Sequence, residues 1–279
     1  MWPRLQRTIK KEVEISGIGV HRGEKSSVVI APAYPNSGIL FRNKHGSLSA
    51  DPFSLGDSNS NTTLVGTGIK VETVEHLLSC LYGLFINNAE VHMRGDELPI
   101  GDGSAGLFYD AIKSAEVVDQ KDSIRVGIVI TKKLKIQESS SRFISIAPSD
   151  KLAIQCSLDW HKNIKGKYTY VHEDDNYSKI AYARTFAEKK YVNALKKKGL
   201  ATRTKFGENT VDIDSGNVVD ECLRHKALDI LGDISLLFGF YLIGKIVAHN
   251  SGHKLHHELL KGLIDDKPSS SNRKRSRSR

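Results

Sequence analysis

The chain has 279 residues, 39% of them hydrophobic, and a formal net charge of +9, long enough for two domains of ordinary size, each with its own core. Six positive charges (Lys267, Arg273, Lys274, Arg275, Arg277 and Arg279) fall in the last segment without an acid, leaving +3 on a body that contains no nucleic-acid-binding module. Cys80, Cys156 and Cys222 have no metal spacing and exclude a disulfide framework, so free thiols in a reducing compartment are expected.

In chain order, residues 8–31 read as two strands whose connection is broken by Gly17, Gly19 and Gly23, with a further strand around SGILFRN. Thr73 is placed to cap a helix through Glu75, His76, Leu77, Leu78, Leu81 and Leu84, after which AEVHMRG returns as a strand. In PIGDGSAGLFYDAIKSAE a glycine turn feeds a helix, with Asp102 and Ser104 as cap candidates. GDGS lacks the spacing and the Lys-Ser/Thr pair of a phosphate loop and is assigned a structural role. The polar stretch 117–126 marks the expected domain boundary, giving an N-terminal domain over 1–120 and a C-terminal domain over 125–266. Beyond it GIVITKKLKIQ, SRFISIAPS and LAIQCSLDW read as strands. AYARTFAEKKYVNALKKKG reads as a helix, followed by a strand near NTVDIDSG, a long helix from about Asp220 to Phe240 and a last helix from about Gly252. Strands followed by helices in each half predict an α+β fold of two similar domains rather than a doubly wound sheet. ISLLFGFYLIG at 234–244 is too short to cross a bilayer, and MWPRLQRTIKKEV lacks the apolar core of a secretory signal. A cytoplasmic protein is expected.

His225 and Asp229 are four apart, so a helix puts them on one face about a turn from each other. With His76 they offer two nitrogens and one carboxylate oxygen, which leaves a fourth tetrahedral position open, as in a catalytic zinc site. Glu75, beside His76, is then placed to deprotonate a bound water. No HEXXH is present, and on spacing alone a capped or salt-bridged surface pair is the stronger reading.

The wider sequence reverses that preference. ISGIGVHRGEKSSVVIAPA, NTTLVGTGIKVETVEHLLSCLYGLFINNAEVHMRGDELPIGDGSAGLF, AYARTF, RHKALDILGD and SGHKL occur in this order. Together they resemble the zinc-dependent UDP-3-O-acyl-N-acetylglucosamine deacetylases of lipid A synthesis over roughly residues 5 to 263. The resemblance implies two domains of shared fold with the active site between them. It implies His76, His225 and Asp229 as zinc ligands, with iron as the alternative in cells since such ligation suits either metal, and Glu75 as general base. It further implies His253 as a protonated acid, Asp233 as the carboxylate that keeps it charged, and Thr185 as a hydroxyl donor to the oxyanion. The implied reaction removes acetate from UDP-3-O-acyl-GlcNAc, a nucleotide-sugar lipid precursor, and frees its 2-amine.

Substrate contacts also follow from the resemblance. Lys226 would meet the diphosphate, Phe186 the sugar or acyl chain, and Trp160 the uracil. Residues 187–213 would form an acyl passage lined by Val192, Leu195 and Leu200. His21 falls near the site without a settled task, while His256 and His257 match no role and read as surface or packing residues. The chain departs from the family pattern at Asp159-Trp160-His161-Lys162-Asn163, at Ala201-Thr202-Arg203-Thr204-Lys205, and in a short link from Val211 to His225. A monomer is expected. The tail 267–279, read as disordered, could make weak contact with an anionic membrane or nucleic acid. A rival reading follows from it, a binding protein that kept the fold, and a deacetylase of a different acylated amino sugar is a third.

Overall fold

Alternating burial along the strands is satisfied by two five-stranded sheets. The structure, a computed structural model, describes residues 4–57, 60–160, 164–237 and 239–265, and the basic tail lies outside them. The first half runs β1 (Leu5–Ile9), β2 (Val13–Ile18), β3 (Lys25–Pro32), β4 (Ile39–Asn43), β5 (Gly46–Ser49), β6 (Thr63–Gly66), β7 (Ile69–Glu72), α1 (Glu75–Gly83), β8 (Ala89–Arg94), α2 (Gly106–Ser114) and β9 (Val117–Ile124). The second half begins with β10 (Gly127–Val129), β11 (Leu134–Ser139), β12 (Arg142–Ala147), β13 (Ala153–Trp160), β14 (Ile164–Val171), α3 (Ser178–Ala181), β15 (Phe186–Ala187) and α4 (Lys189–Lys196). It ends with β16 (Val211–Asp212), α5 (Val219–Ile234), β17 (Tyr241–Ile243), β18 (Lys245–His249) and α6 (His253–Asp265).

The two large sheets have the same topology. Strand order is β2-β3-β8-β4-β5 in the first and β11-β12-β18-β13-β14 in the second. In each, the last strand to be made enters the middle, parallel to one neighbour (β4 with β8, β13 with β18) and antiparallel to the other. A helix precedes that strand and another follows it in both halves. The fold is α+β, and the repeat is one of topology that no residue-level repeat announces.

One face of each sheet is buried. Ser26, Val28 and Ile30 alternate inward on β3, and Ile154, Cys156 and Leu158 do so on β13. Every residue of α1 is buried, which marks it as an interior helix rather than an amphipathic surface one. It packs along α5, whose residues 227–234 are also all buried, and α6 packs on α5 in turn. The three helices thereby bring residues 75–76, 225–233 and 253–257 into one region.

Several elements differ from the sequence reading. The polar stretch 117–124 is a strand, β9, paired antiparallel with β1. AYARTFAEKKYVNALKKKG is not one helix. The Thr185 N–H donates to the Gly103 carbonyl at 2.8 Å and the Val211 N–H donates to the Thr185 carbonyl at 2.8 Å, which draws this backbone into β15 between α3 and α4. The long helix stops at Ile234 because residues 241–243 pair with β10, the Tyr241 N–H donating to the Val126 carbonyl. Thr73 is not a cap. Its φ is +61°, and its hydroxyl donates to Glu97 Oε1 at 3.2 Å.

Candidate metal centre and its flanking acid and base

α1 delivers Glu75 and His76 from its first turn, and α5 delivers His225 and Asp229 one turn apart. The donor atoms of His76, His225 and Asp229 all lie within 4.8 Å of one another, and all three residues are buried. His225 Nδ1 is 2.8 Å from the Ala183 carbonyl, which can only accept, so Nδ1 carries a proton and Nε2 is the atom turned to the group. That Nε2 is 3.2 Å from Asp229 Oδ1. Burial and then the neighbouring His225 push His76 down to about 3, which keeps it neutral and able to ligate. Burial alone would raise Asp229, but His225 and Lys226 outweigh it and hold the carboxyl well below the usual carboxylate range. Two imidazoles and one carboxylate at this separation fit a tetrahedral divalent cation with an open position.

Glu75 is buried, and burial pushes its carboxyl up to about 7. Its Oε2 accepts from the Thr62 N–H at 2.9 Å. On the other side Asp233 forms the centre of a second cluster. Its Oδ2 accepts from His253 Nδ1 at 2.7 Å and from His256 Nδ1 at 2.6 Å, while Oδ1 accepts from the Thr62 hydroxyl at 2.5 Å. Burial would lower His253, but the Asp233 charge and hydrogen bond raise it to about 9. Two titratable groups with separated proton affinities, Glu75 and His253, thus flank the three candidate ligands.

Of the two alternatives read for His256 and His257, surface or packing, the structure shows packing: both are buried, and both face Asp233. His256 is fully buried, with Nε2 2.9 Å from Ser251 Oγ and Nδ1 on Asp233, and burial pushes its pKa down, so it serves as a neutral donor. His257 Nε2 is 3.5 Å from Asp233 Oδ1 and 3.2 Å from Thr62 Oγ1.

A cavity of about 110 Å³ opens beside the metal group. Glu75, His76, Thr185, Phe186, Val192 and Leu195 line it, and His21 reaches it from the first half. Thr185 is held there by its N–H bond to the Gly103 carbonyl, and the turn comes close enough that a Cβ on Gly103 would stand 3.2 Å from Thr185 Cγ2 and 2.0 Å from the Asn209 carbonyl oxygen. Leu200 is not among the lining residues and is 39% exposed. A larger cavity of about 320 Å³ shares no residue with the metal group.

The three candidate substrate residues form a row leading to His225. Trp160, 42% exposed rather than a core tryptophan, meets Phe186 edge-on at 6.0 Å between centroids. Phe186 meets the His225 ring at 6.1 Å. Lys226 Nζ lies 5.3 Å from the Phe186 centroid and 2.9 Å from Asp229 Oδ2, so it is paired rather than solvated. His161, Lys162 and Asn163 lie outside the described residues.

Residues 6–265 match the family described as LpxC, UDP-3-O-acyl N-acetylglycosamine deacetylase. The chain belongs to this family. LpxC-family relatives named UDP-3-O-acyl-N-acetylglucosamine deacetylase include that of Methylococcus capsulatus, 36% identical over 93% of this chain and 90% of the relative. Those of Pseudomonas entomophila and Saccharophagus degradans are 35% and 34% identical over the same shares. The LpxC family is a family of metalloenzymes, and the His76, His225 and Asp229 donor set suits a metal. Among the described residues, no helix is long and apolar enough to cross a membrane.

Proposed function

We propose that this chain is a zinc-dependent hydrolase that removes the N-acetyl group from UDP-3-O-acyl-N-acetylglucosamine. The products are UDP-3-O-acyl-glucosamine and acetate, in an early step of lipid A biosynthesis. The observation that carries the reading is the buried His76, His225 and Asp229 group with Glu75 beside it and the Asp233–His253 pair close by.

When bound, zinc supplies a Lewis acid for the acetyl carbonyl and lowers the pKa of a ligated water to about 7. Glu75, fixed through Oε2 by the Thr62 N–H, takes the proton of the attacking water. The Thr185 hydroxyl, on the cavity wall, donates to the developing oxyanion. His253, kept charged by Asp233, supports the oxyanion and passes a proton to the departing amine. Of the substrate, the diphosphate is assigned to Lys226, the uracil to Trp160, the sugar to Phe186, and the acyl chain to the wall formed by Val192 and Leu195. Iron at the same ligands in cells is compatible with the donor set. The chain acts as a monomer in the cytoplasm.

The reading is tested by incubating metal-loaded protein with UDP-3-O-acyl-GlcNAc and with UDP-GlcNAc lacking the acyl chain. Stoichiometric acetate and free amine from the acylated sugar, with far slower release from the other, are expected. Equal turnover of both would contradict the acyl assignment, and turnover of neither the reaction itself.

A further inference from the structure

Thr62 is used by neither the metal group nor the substrate row, yet it touches both proton-transfer groups. It is fully buried, just before β6. Its backbone belongs to the base: the N–H donates to Glu75 Oε2 at 2.9 Å, and the carbonyl accepts from the Val74 N–H at 3.2 Å where α1 begins. Its side chain crosses to the second half of the chain. Asp233 is an anion and only accepts, so the Thr62 hydroxyl proton goes to Oδ1, at 2.5 Å. Oγ1 then accepts, with His253 Nδ1 and His257 Nε2 each at 3.2 Å. His253 Nδ1 has its shorter bond to Asp233 Oδ2, at 2.7 Å, which leaves His257 as the natural donor to Thr62.

Resting on the deacetylase reading, we propose that Thr62 is the positioning residue that fixes the Asp233–His253 pair relative to Glu75. One residue rigid at both ends sets the separation of acid and base, and a small misplacement of such groups costs heavily in rate. Asp233 needs this support. Its two oxygens face three histidines of α6, and without Thr62 its Oδ1 would keep only His257, at 3.5 Å.

The test compares zinc-loaded wild type, Thr62→Val, Thr62→Ser, Asp233→Asn and the Thr62→Val/Asp233→Asn double variant on UDP-3-O-acyl-GlcNAc. Thr62→Val should lower kcat roughly 10- to 100-fold, the scale of a lost charge-assisted hydrogen bond. KM and one-to-one zinc content should be kept. Thr62→Ser, which retains the hydroxyl, should regain most of the rate, and Thr62→Val should cost little more once Asp233 is Asn. Wild-type kcat in Thr62→Val, a serine variant as slow as the valine one, or full additivity with Asp233→Asn would overturn the assignment. Thr62→Ala, measured in the same way, replaces valine if that variant does not fold. An inactive wild type would instead remove the deacetylase reading on which this rests.

Discussion

Gly232 in α5 lies directly against Glu75 in α1: a Cβ added at Gly232 would stand 2.2 Å from the Glu75 carbonyl oxygen. This contact is what lets two helices from different halves pool their side chains, since the obstacle is backbone and cannot rotate away. Gly232→Ala is therefore expected to push the helices apart. A clear drop in melting temperature, of the size of overpacking at about 1–3 kcal/mol or more, and zinc content below one per chain should appear together. A variant with wild-type melting and full zinc would show that the helix spacing is not set here.

Asp229→Ala removes one proposed ligand and strips Lys226 Nζ of its partner at 2.9 Å. Metal content after dialysis should fall well below one equivalent, and turnover should fall with it. Glu75→Gln should separate the two effects, keeping the metal while kcat drops roughly 10²–10⁴-fold, the scale of general base catalysis. Metal analysis beside initial rates distinguishes them, and an active Glu75→Gln variant would remove the base assignment.

His253, raised to about 9 by Asp233, should set an alkaline limit on kcat/KM near that pH, because the acid must be protonated. In Asp233→Asn, burial acts without the compensating charge, and the limb should move to lower pH. The same pair affects stability. Its folded value lies above the usual 6.5, so its contribution is complete below about pH 6.5 and is lost as pH rises through about 9. An alkaline limb that stays in place in Asp233→Asn would contradict the pairing.

His256→Leu leaves Asp233 Oδ2 short of one donor and Ser251 Oγ without its 2.9 Å partner. The expected loss is about 1–3 kcal/mol, the cost of stranding buried polar groups, read from denaturant unfolding. An unchanged midpoint would mean His256 packs without bonding.

The clustering of His76, His225 and Asp229 was readable because His225 and Asp229 obey the helical i, i+4 relation and Glu75-His76 sits in a distinctive stretch. His256 and His257 carried the same signal. Three and four residues after His253 on a helix, they share its face, and the resemblance already gives their bonding partner Asp233 a place at the site. Thr62 gave no local sign, since its role arises from contacts 13, 171 and 191 residues away. The break of AYARTF into β15 was equally hidden. Its sequence suits a helix, but the hydrogen bonds that Thr185 donates to Gly103 and accepts from Val211 decide otherwise. That the two halves are alike was expected from strands followed by helices in each, but the strand order they share is set by pairing, which no periodicity records.

The most direct measurement is acetate release from UDP-3-O-acyl-GlcNAc by chelator-stripped protein, before and after one equivalent of zinc. Turnover absent in the stripped protein and restored in full at one equivalent is the predicted result. Turnover without metal, or none with zinc bound one-to-one, would contradict the assignment of His76, His225 and Asp229 as the centre of a zinc deacetylase.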